Sequence, residues 1–297
     1  MACNLTIALH PVDYAKGNWP QHPPRYDPPM TTATAPSPDF GPMLRLWRNR
    51  RSLSQLALSA DSEISQRHLS FIESGRSRPS REMVLRLAET LSIPLRERNA
   101  LLVAAGFAPA YRERPADDPE SAAAHQAVQL ILKHHEPFPA LAIDRHWTML
   151  HANAGITALL DGIDPALLEP PVNALRLTLH PGGLAPRIEN FREWRTHVFH
   201  RLNGLIDQTA DPGLVTLLEE LKSYPLPPGA APYRPGDMIH PAGIAIPFRL
   251  RTEHGVLSFL STTTVFGTAL DIALSELAIE TFLPADARTA ARLMPGS

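Results

Sequence analysis

The sequence predicts two folded parts of different class. An all-α module is expected over residues 40–110, and an α+β domain over 122–297 with about five antiparallel strands flanked by helices. Three observations predict this. Up to Gly106 the apolar residues recur at helical spacing, punctuated by Ser, Pro and Gly where helices start and stop. From Pro139 onward, runs such as ALAID and GVLSFLSTTTVF follow the period of a strand. Charge divides along the same line: residues 40–114 hold 13 Arg against 7 acidic residues, leaving 15 basic and 23 acidic residues elsewhere. A basic module joined to an acidic remainder suits a polyanion binder with a separate sensing or partner domain.

Residues 1–39 are rich in Pro, Thr and Ala and lack a sustained period. They read as a flexible leader, with Met30 a candidate natural start and Trp19 and Tyr26 the residues that would dock if it packed. Asp39 is placed to cap a first helix with Leu44, Leu46 and Trp47 inward. The stretch 53–78, LSQLALSADSEISQRHLSFIESGRSR, then reads as two short helices joined by a tight turn. Ser54 caps the first, over 55–60; Ser65 caps the second, over 66–73, and Gly75 stops it. Leu58, Ile64, Leu69 and Ile72 are spaced to pack the pair together. This is the pattern of a helix-turn-helix, although a helical hairpin in another bundle shares the spacing. Gln66, Arg67 and Ser70 fall on the outer face of the second helix. Gln pairs bidentately with adenine and Arg with guanine, so this face suits the reading of bases in double-stranded DNA. Arg76 and Arg78 follow in a loop where phosphate contact is expected. Ser80 caps a fourth helix with Met83, Val84, Leu87, Ala88 and Leu91 inward. Pro94 opens a fifth with Leu101, Leu102 and Val103 inward, ended by Gly106.

Residues 111–121 are a linker by composition, and 122–134 a helix with Val128, Ile131 and Leu132 on one side. ALAID and HWTMLHAN predict a hairpin turning at Asp144 and Arg145, followed by a helix capped by Asn153. Strand, tight turn, strand and Asn-capped helix is how PAS-type domains begin, so a PAS-like sheet is expected. Residues 186–206 read as one long helix, 225–241 as a Pro-rich loop, and 243–266 as a long hairpin turning at Glu253 and His254. Leu277, Ile279, Thr281 and Leu283 alternate as a last strand, with a helix over 270–282 the competing reading. Asp286 caps a terminal helix.

The motifs of nucleotide binding, of phosphate loops, of serine hydrolases and of helical zinc peptidases are all absent. No catalysis and no cofactor are expected. The lone Cys3 excludes an intramolecular disulfide and any site built on several thiolates. Glu193, His197 and His200 share neighbouring parts of a helix face, but a solvated polar face accounts for them, and no metal is expected. No apolar run is long enough to span a membrane and no signal pattern opens the chain, so a cytoplasmic protein with no membrane partner is expected.

SQRHLSFIESGRSRPSREMVLRLAETL followed by RERNALLVAAGFAPAYRE resembles the DNA-binding half of MmyB-like transcription regulators, a branch of the Xre, lambda-repressor-like family. PALAIDRHWTMLHAN, PPVNALRL, LHPGGLAPRIENFREWRTH and LSFLSTTTVFGTALDIALSELAIETFLPAD are similar to its ligand-binding half. The resemblance implies a five-helix DNA-binding domain, a PAS-like sensor and a fatty-acid-like ligand. It gives Gln55 a bracing role on the DNA backbone and gives Gln66, Arg67 and Ser70 the base-reading roles. A homodimer on a DNA operator is expected, because single modules bind half-sites weakly. One departure is Glu63, where many such turns carry Gly. A left-handed Glu costs about 1 kcal/mol unless the turn shifts.

For the ligand, Arg187, Asn190, Trp194, His197 and Arg201 recur at helical spacing beside an apolar stripe. That arrangement suits an amphipathic anion whose carboxylate meets Arg187 or Asn190. Phe259, Ser261, Thr263 and Val265, alternating along one strand, would supply the opposite wall. If the helix stripe instead faces water, Phe259 and Val265 are ordinary core. Two other functions remain open at this point: a constitutive DNA-binding protein whose second domain serves assembly, and an enzyme fused to a DNA-binding domain.

Overall fold

The computed structural model describes residues 39–114, 118–232, 246–253, 255–266 and 271–294. The expectations for the leader with Trp19, Tyr26 and Met30, for the middle of the linker, for the end of the Pro-rich stretch and for His254 lie outside the described residues.

Helices α1 (Phe40–Arg50), α2 (Gln55–Asp61), α3 (Gln66–Glu73), α4 (Arg81–Thr90) and α5 (Leu95–Ala104) close around Leu44, Trp47, Leu58, Leu69, Leu87 and Leu102. The hydroxyls of Ser54, Ser65 and Ser80 accept hydrogen bonds from the amides of Ala57 (3.0 Å), His68 (3.3 Å) and Met83 (3.2 Å). Each satisfies a donor that a helix start would leave orphaned. Asp39 precedes α1 but makes no such bond. Glu63 adopts φ 57°, so the turn between α2 and α3 keeps its left-handed residue and the side chain bears the strain. Two inward expectations are corrected: Leu46 is 52% and Val103 51% exposed. Each is adjacent in sequence to a buried residue, and adjacent positions on a helix point about 100° apart.

Helix α6 (Pro119–His134) starts earlier than expected because the Asp118 carboxylate caps it at the Glu120 amide and Pro119 fits the first turn. Ile131, expected inward, is exposed for the same geometric reason as Leu46. Strands β1 (Ala140–Ile143), β2 (Met149–Ala152), β3 (Phe248–Thr252), β4 (Gly255–Val265) and β5 (Ala278–Pro284) form one antiparallel sheet in the order β2-β1-β5-β4-β3. Helix α6 covers one face through Val128 and Leu132 against Ala140, Ala142 and Ile279. Helices α7 (Ala154–Leu159), α8 (Ala174–Leu179), α9 (Phe191–Thr209) and α10 (Pro212–Ser223) cover the other. With both faces covered, every residue of β1 is buried. The last strand expected from the alternation of Leu277, Ile279, Thr281 and Leu283 forms as β5, and of the competing helix over 270–282 one turn is present, α11 (Ile272–Ser275); α12 (Ala287–Leu293) follows β5, capped by Asp286.

The single helix expected over 186–206 is also corrected. A 3-10 turn, Ala185–Arg187, is followed by an extended Ile188 and by Glu189, whose amide donates to the Arg249 carbonyl at 2.8 Å. This segment pairs with the edge of β3, satisfying backbone groups that the edge strand would otherwise expose. Only from Phe191 does the chain turn helical. Helices α8 and α10 were not anticipated.

Strand β2 buries His151 against α6, where its Nε2 lies 3.2 Å from His125 Nδ1 and its Nδ1 lies 3.4 Å from Gln129 Nε2. Burial, with His125 adding to it, pushes the His151 pKa down from 6.5 to about 4. In the unfolded chain His151 takes up a proton near its ordinary pKa that the folded chain refuses. Stability is therefore full above about pH 6.5 and is lost as pH falls toward about 4. Urea melts at about pH 7 and about pH 5 are expected to differ by about 2 kcal/mol from this group, and His151→Gln to flatten the dependence. An unchanged pH slope in His151→Gln contradicts the assignment.

Candidate functional site

The first candidate surface is the outer edge of α3. Gln66 and Arg67 are exposed there, Ser65 caps the helix, and Ser70 is half-buried. The Arg67 guanidinium lies 5.5 Å from the centre of the Phe71 ring, one turn on, which holds the long side chain along the helix. Arg76 and Arg78 are exposed in the loop beyond Gly75, whose φ of 71° ends the helix. Gln55 opens α2 beside this surface. Its amide donates to Glu73 Oε2 at 2.8 Å and so braces α2 on the end of α3.

That bond belongs to a network that sequence reasoning missed. The Glu73 side chain is fully buried and accepts two bonds from Arg48, at 2.6 and 3.0 Å, and one from Arg45 at 3.4 Å. Burial works to raise the Glu73 pKa, but the hydrogen bonds from Arg48 and Gln55 outweigh it and hold the carboxyl below its usual range. A signal was present: Arg48 and Glu73 fall on the apolar faces of their helices, where an unpaired charge does not survive. At the same contact, a Cβ on Gly41 would lie 2.6 Å from the Glu73 carbonyl oxygen, so α1 and α3 touch backbone to backbone. Helices α1 and α2 thus fix the direction of α3.

The second candidate is a cavity of about 70 Å³ between the sheet and helices α7 to α9. Its walls are mostly apolar, among them Leu141, Met149, Leu177, Val198, Phe248 and Phe282. Its polar side is Trp194, His197 and Arg201 from α9, Thr178 from α8, and Ser261 and Glu280 from the sheet. These three α9 residues are members of the expected stripe; the other two members are not in the cavity. Arg187 sits in the 3-10 turn and donates to the carbonyls of Leu159 (3.1 Å) and Asp161 (3.0 Å). Asn190 donates to Glu193 and to the Pro247 carbonyl, both at 2.8 Å, and accepts from the Arg249 amide. The break at Ile188 and Glu189 separates both from the helix face. On β4, Ser261 lines the cavity and Thr263 sits at its rim. Phe259 is fully buried beside the Phe248 and Phe282 rings, and Val265 is 61% exposed beyond the rim.

Arg201 closes that rim. It donates to Glu280 at 2.7 and 3.1 Å and to Thr263 at 2.8 Å, and Thr263 in turn donates to Glu280 at 2.7 Å. Its guanidinium lies 4.8 Å from the ring centre of Trp147, a non-glycine residue held at φ 65°. Trp147, Arg201 and Glu280 also face a cleft of about 500 Å³ bounded on the far side by α5. Two residues of this wall, Trp147 and Glu280, were not singled out from sequence. The register that places Glu280 opposite both Leu141 and Thr263 exists only once the sheet is assembled.

The two halves touch at the far end of α9. Arg50 donates to the Ile206 carbonyl at 3.2 Å, and Arg51 to the carbonyls of Asp207 and Gln208, both at 3.0 Å. Arg51 also donates to Leu91 and Ser92 at the end of α4. One guanidinium thus serves the carbonyl ends of two helices, where cations are favoured. On α5, Arg96 pairs with Glu276 through bonds of 2.8 and 2.9 Å.

Among the described residues, no group of three His, Cys, Asp or Glu converges to hold a metal ion, and no helix is long and apolar enough to cross a membrane. Two family models match the sequence. One, described as helix-turn-helix, covers residues 44–98; the other, described as the MmyB-like transcription regulator ligand binding domain, covers residues 124–294. No curated protein matches the chain.

Proposed function

The chain belongs to the MmyB-like transcription regulators, with a helix-turn-helix ahead of a ligand-binding domain, and from that premise we propose that it is a cytoplasmic, ligand-responsive regulator without catalytic activity. Residues 40–110 form the DNA-binding module, 111–121 the linker and 122–297 the sensor. Gln66, Arg67 and Ser70 meet base edges, and Ser65, Arg76 and Arg78 meet phosphates. Gln55 acts by holding α3 in place. A homodimer presents two such helices to the two halves of an operator.

The ligand is a small amphipathic molecule with a hydrocarbon body, of the fatty-acid-like kind that the family resemblance implied. The observation that carries the sensing role is the shared wall. Trp147, Arg201 and Glu280 have the cavity on one side and the cleft against α5 on the other. Helix α9 runs from this wall to the carbonyls held by Arg50 and Arg51. A ligand that moves α9 thereby favours one arrangement of sensor and DNA-binding module over another.

The DNA half is tested first. With an operator selected from random duplexes, Arg67→Ala is expected to weaken binding by about 1–3 kcal/mol and to relax base preference at one position. Arg78→Ala is expected to weaken binding to every sequence and to reduce the salt slope by about one. Footprinting and salt titration measure both. Full affinity and unchanged base preference in Arg67→Ala would show that α3 presents another face.

A further inference from the structure

Resting on the reading of the protein as a homodimer, the outer face of the sheet identifies where the two copies meet. Helix α6 covers only one side of that face. From one flank of α6, His125 and Gln129 reach His151 on the edge strand β2. The opposite flank therefore looks along the sheet toward β5, β4 and β3. On β4, Phe259 and Ser261 face helices α7 to α9, so Leu260, Thr262 and Thr264 face the side of α6. Register sets Leu283 opposite Leu260 and Thr281 opposite Thr262, where the two threonine hydroxyls lie 2.6 Å apart. Thr262, Thr264 and Leu283 are exposed, and this band carries no charge until Arg249 and Arg251 on the edge strand β3.

The flank of α6 beside the band is apolar as well. Ala123, Ala127, Leu130 and Ile131 are all exposed, Leu130 by 57% and Ile131 by 41%. Val128 and Leu132 face the sheet. At about 100° per residue, Ile131 and Ala127 then point sideways over the open band, and Ala123 and Leu130 point away from the sheet. Exposed Glu120 and His134 lie on the same flank at the two ends of the helix, Glu120 also pairing with Arg114. A ridge beside a step of its own width is complementary to itself. We propose that two copies of the chain pair about a two-fold axis at Ala127, with their α6 helices antiparallel and each resting on the open half of the other's sheet. Ala123 and Leu130 of one copy then meet Leu260, Thr262, Thr264 and Leu283 of the other. Antiparallel register about Ala127 sets Ala123 against Ile131 of the second copy and Glu120 against His134. The acidic first turn of each helix thus meets the basic last turn of the other, which carries Lys133 and His134. The small side chain at the axis lets the helices approach to about 8 Å. The helix has 16 residues, so it is about 24 Å long. Beside about three strand widths it presents a footprint of about 600 Å² per partner, near the roughly 800 Å² of a standard stable interface.

The test uses the full chain in analytical ultracentrifugation. Wild type is expected to be dimeric at micromolar concentration. Ala127→Arg sets a cation against its own copy and is expected to raise the dimer dissociation constant at least about a hundredfold. Its thermal melt by circular dichroism is expected to stay helical and cooperative, because the position is exposed and Arg is a good helix former. A second measurement needs no loss of binding. With Cys3→Ser, Ala127→Cys is expected to form a disulfide-linked dimer on mild oxidation, since a residue at a two-fold axis meets itself. Val215→Cys, exposed on α10, is expected not to. A dimer that Ala127→Arg leaves intact overturns this interface while the homodimer reading stands. So does Ala127→Cys without a cross-link, which decides the matter should Ala127→Arg fail to fold. A wild-type chain that stays monomeric, alone and on its operator, overturns both.

Discussion

Arg48→Ala is expected to remove about 3–5 kcal/mol from the stability of the five-helix module and, with it, DNA binding. Arg48 is the principal partner of the fully buried Glu73 carboxylate, through two hydrogen bonds, and it also donates to the Leu53 carbonyl at 2.8 Å. Without it, Glu73 keeps the Gln55 amide and a long contact to the half-exposed Arg45. Whole domains are stable by about 5–15 kcal/mol, so a loss of this size melts a small one. The double variant Arg48→Met, Glu73→Leu is expected to recover most of the loss, because it removes the buried charge as well as its partner. The native network has a pH signature of its own. Since the folded carboxyl titrates below its usual range, its contribution is full above the unfolded pKa and is lost as pH falls through the folded one. Calorimetry on the full chain resolves these outcomes. An Arg48→Ala module within about 1 kcal/mol of wild type contradicts the bracing role.

At the rim of the cavity, Arg201→Ala is expected to destabilise the ligand-binding domain by about 2–4 kcal/mol. The figure is reduced from that of a fully buried pair because the Arg201 side chain is 27% exposed. The variant leaves the buried Glu280 with the Thr263 hydroxyl as its remaining donor and uncovers the Trp147 ring. Adding Glu280→Gln is expected to recover part of the loss, since a neutral amide tolerates the site where an unpaired carboxylate does not. A double-mutant cycle in urea measures the coupling. If Arg201→Ala alone is neutral, the rim is too hydrated for the pair to hold the wall. The same variant joins cavity to cleft, so it is also expected to blunt any effect of ligand on DNA affinity.

Local physics settled much of this protein before any packing was known. Ser54, Ser65 and Ser80 cap their helices because a hydroxyl before a helical run has one good use. The alternating β-branched run from Val256 to Val265 is a strand, and Asp286 starts the last helix, for comparably local reasons. The expected left-handed turn also formed at Glu63, against that residue's own preference. Gln66 and Arg67 stand outward because Leu69 and Ile72 must go inward.

Other features exist only through partners distant in sequence, and the tertiary structure alone decided them. Residues 188–190 leave the helical pattern because the edge of β3 offers backbone bonds that a one-dimensional pattern does not contain. That break moves Arg187 and Asn190 off the face that Trp194, His197 and Arg201 share. Gln55 and Glu73, read separately as a surface residue and a helix end, meet only when α1, α2 and α3 close on one another. Glu280 becomes the counter-charge of Arg201 because strand register sets it opposite Thr263, under α9. Periodicity reports which way a side chain faces, since that follows from the dihedrals of its own element. It cannot report which group that side chain meets, since burial and pairing depend on elements that the chain brings together only by folding.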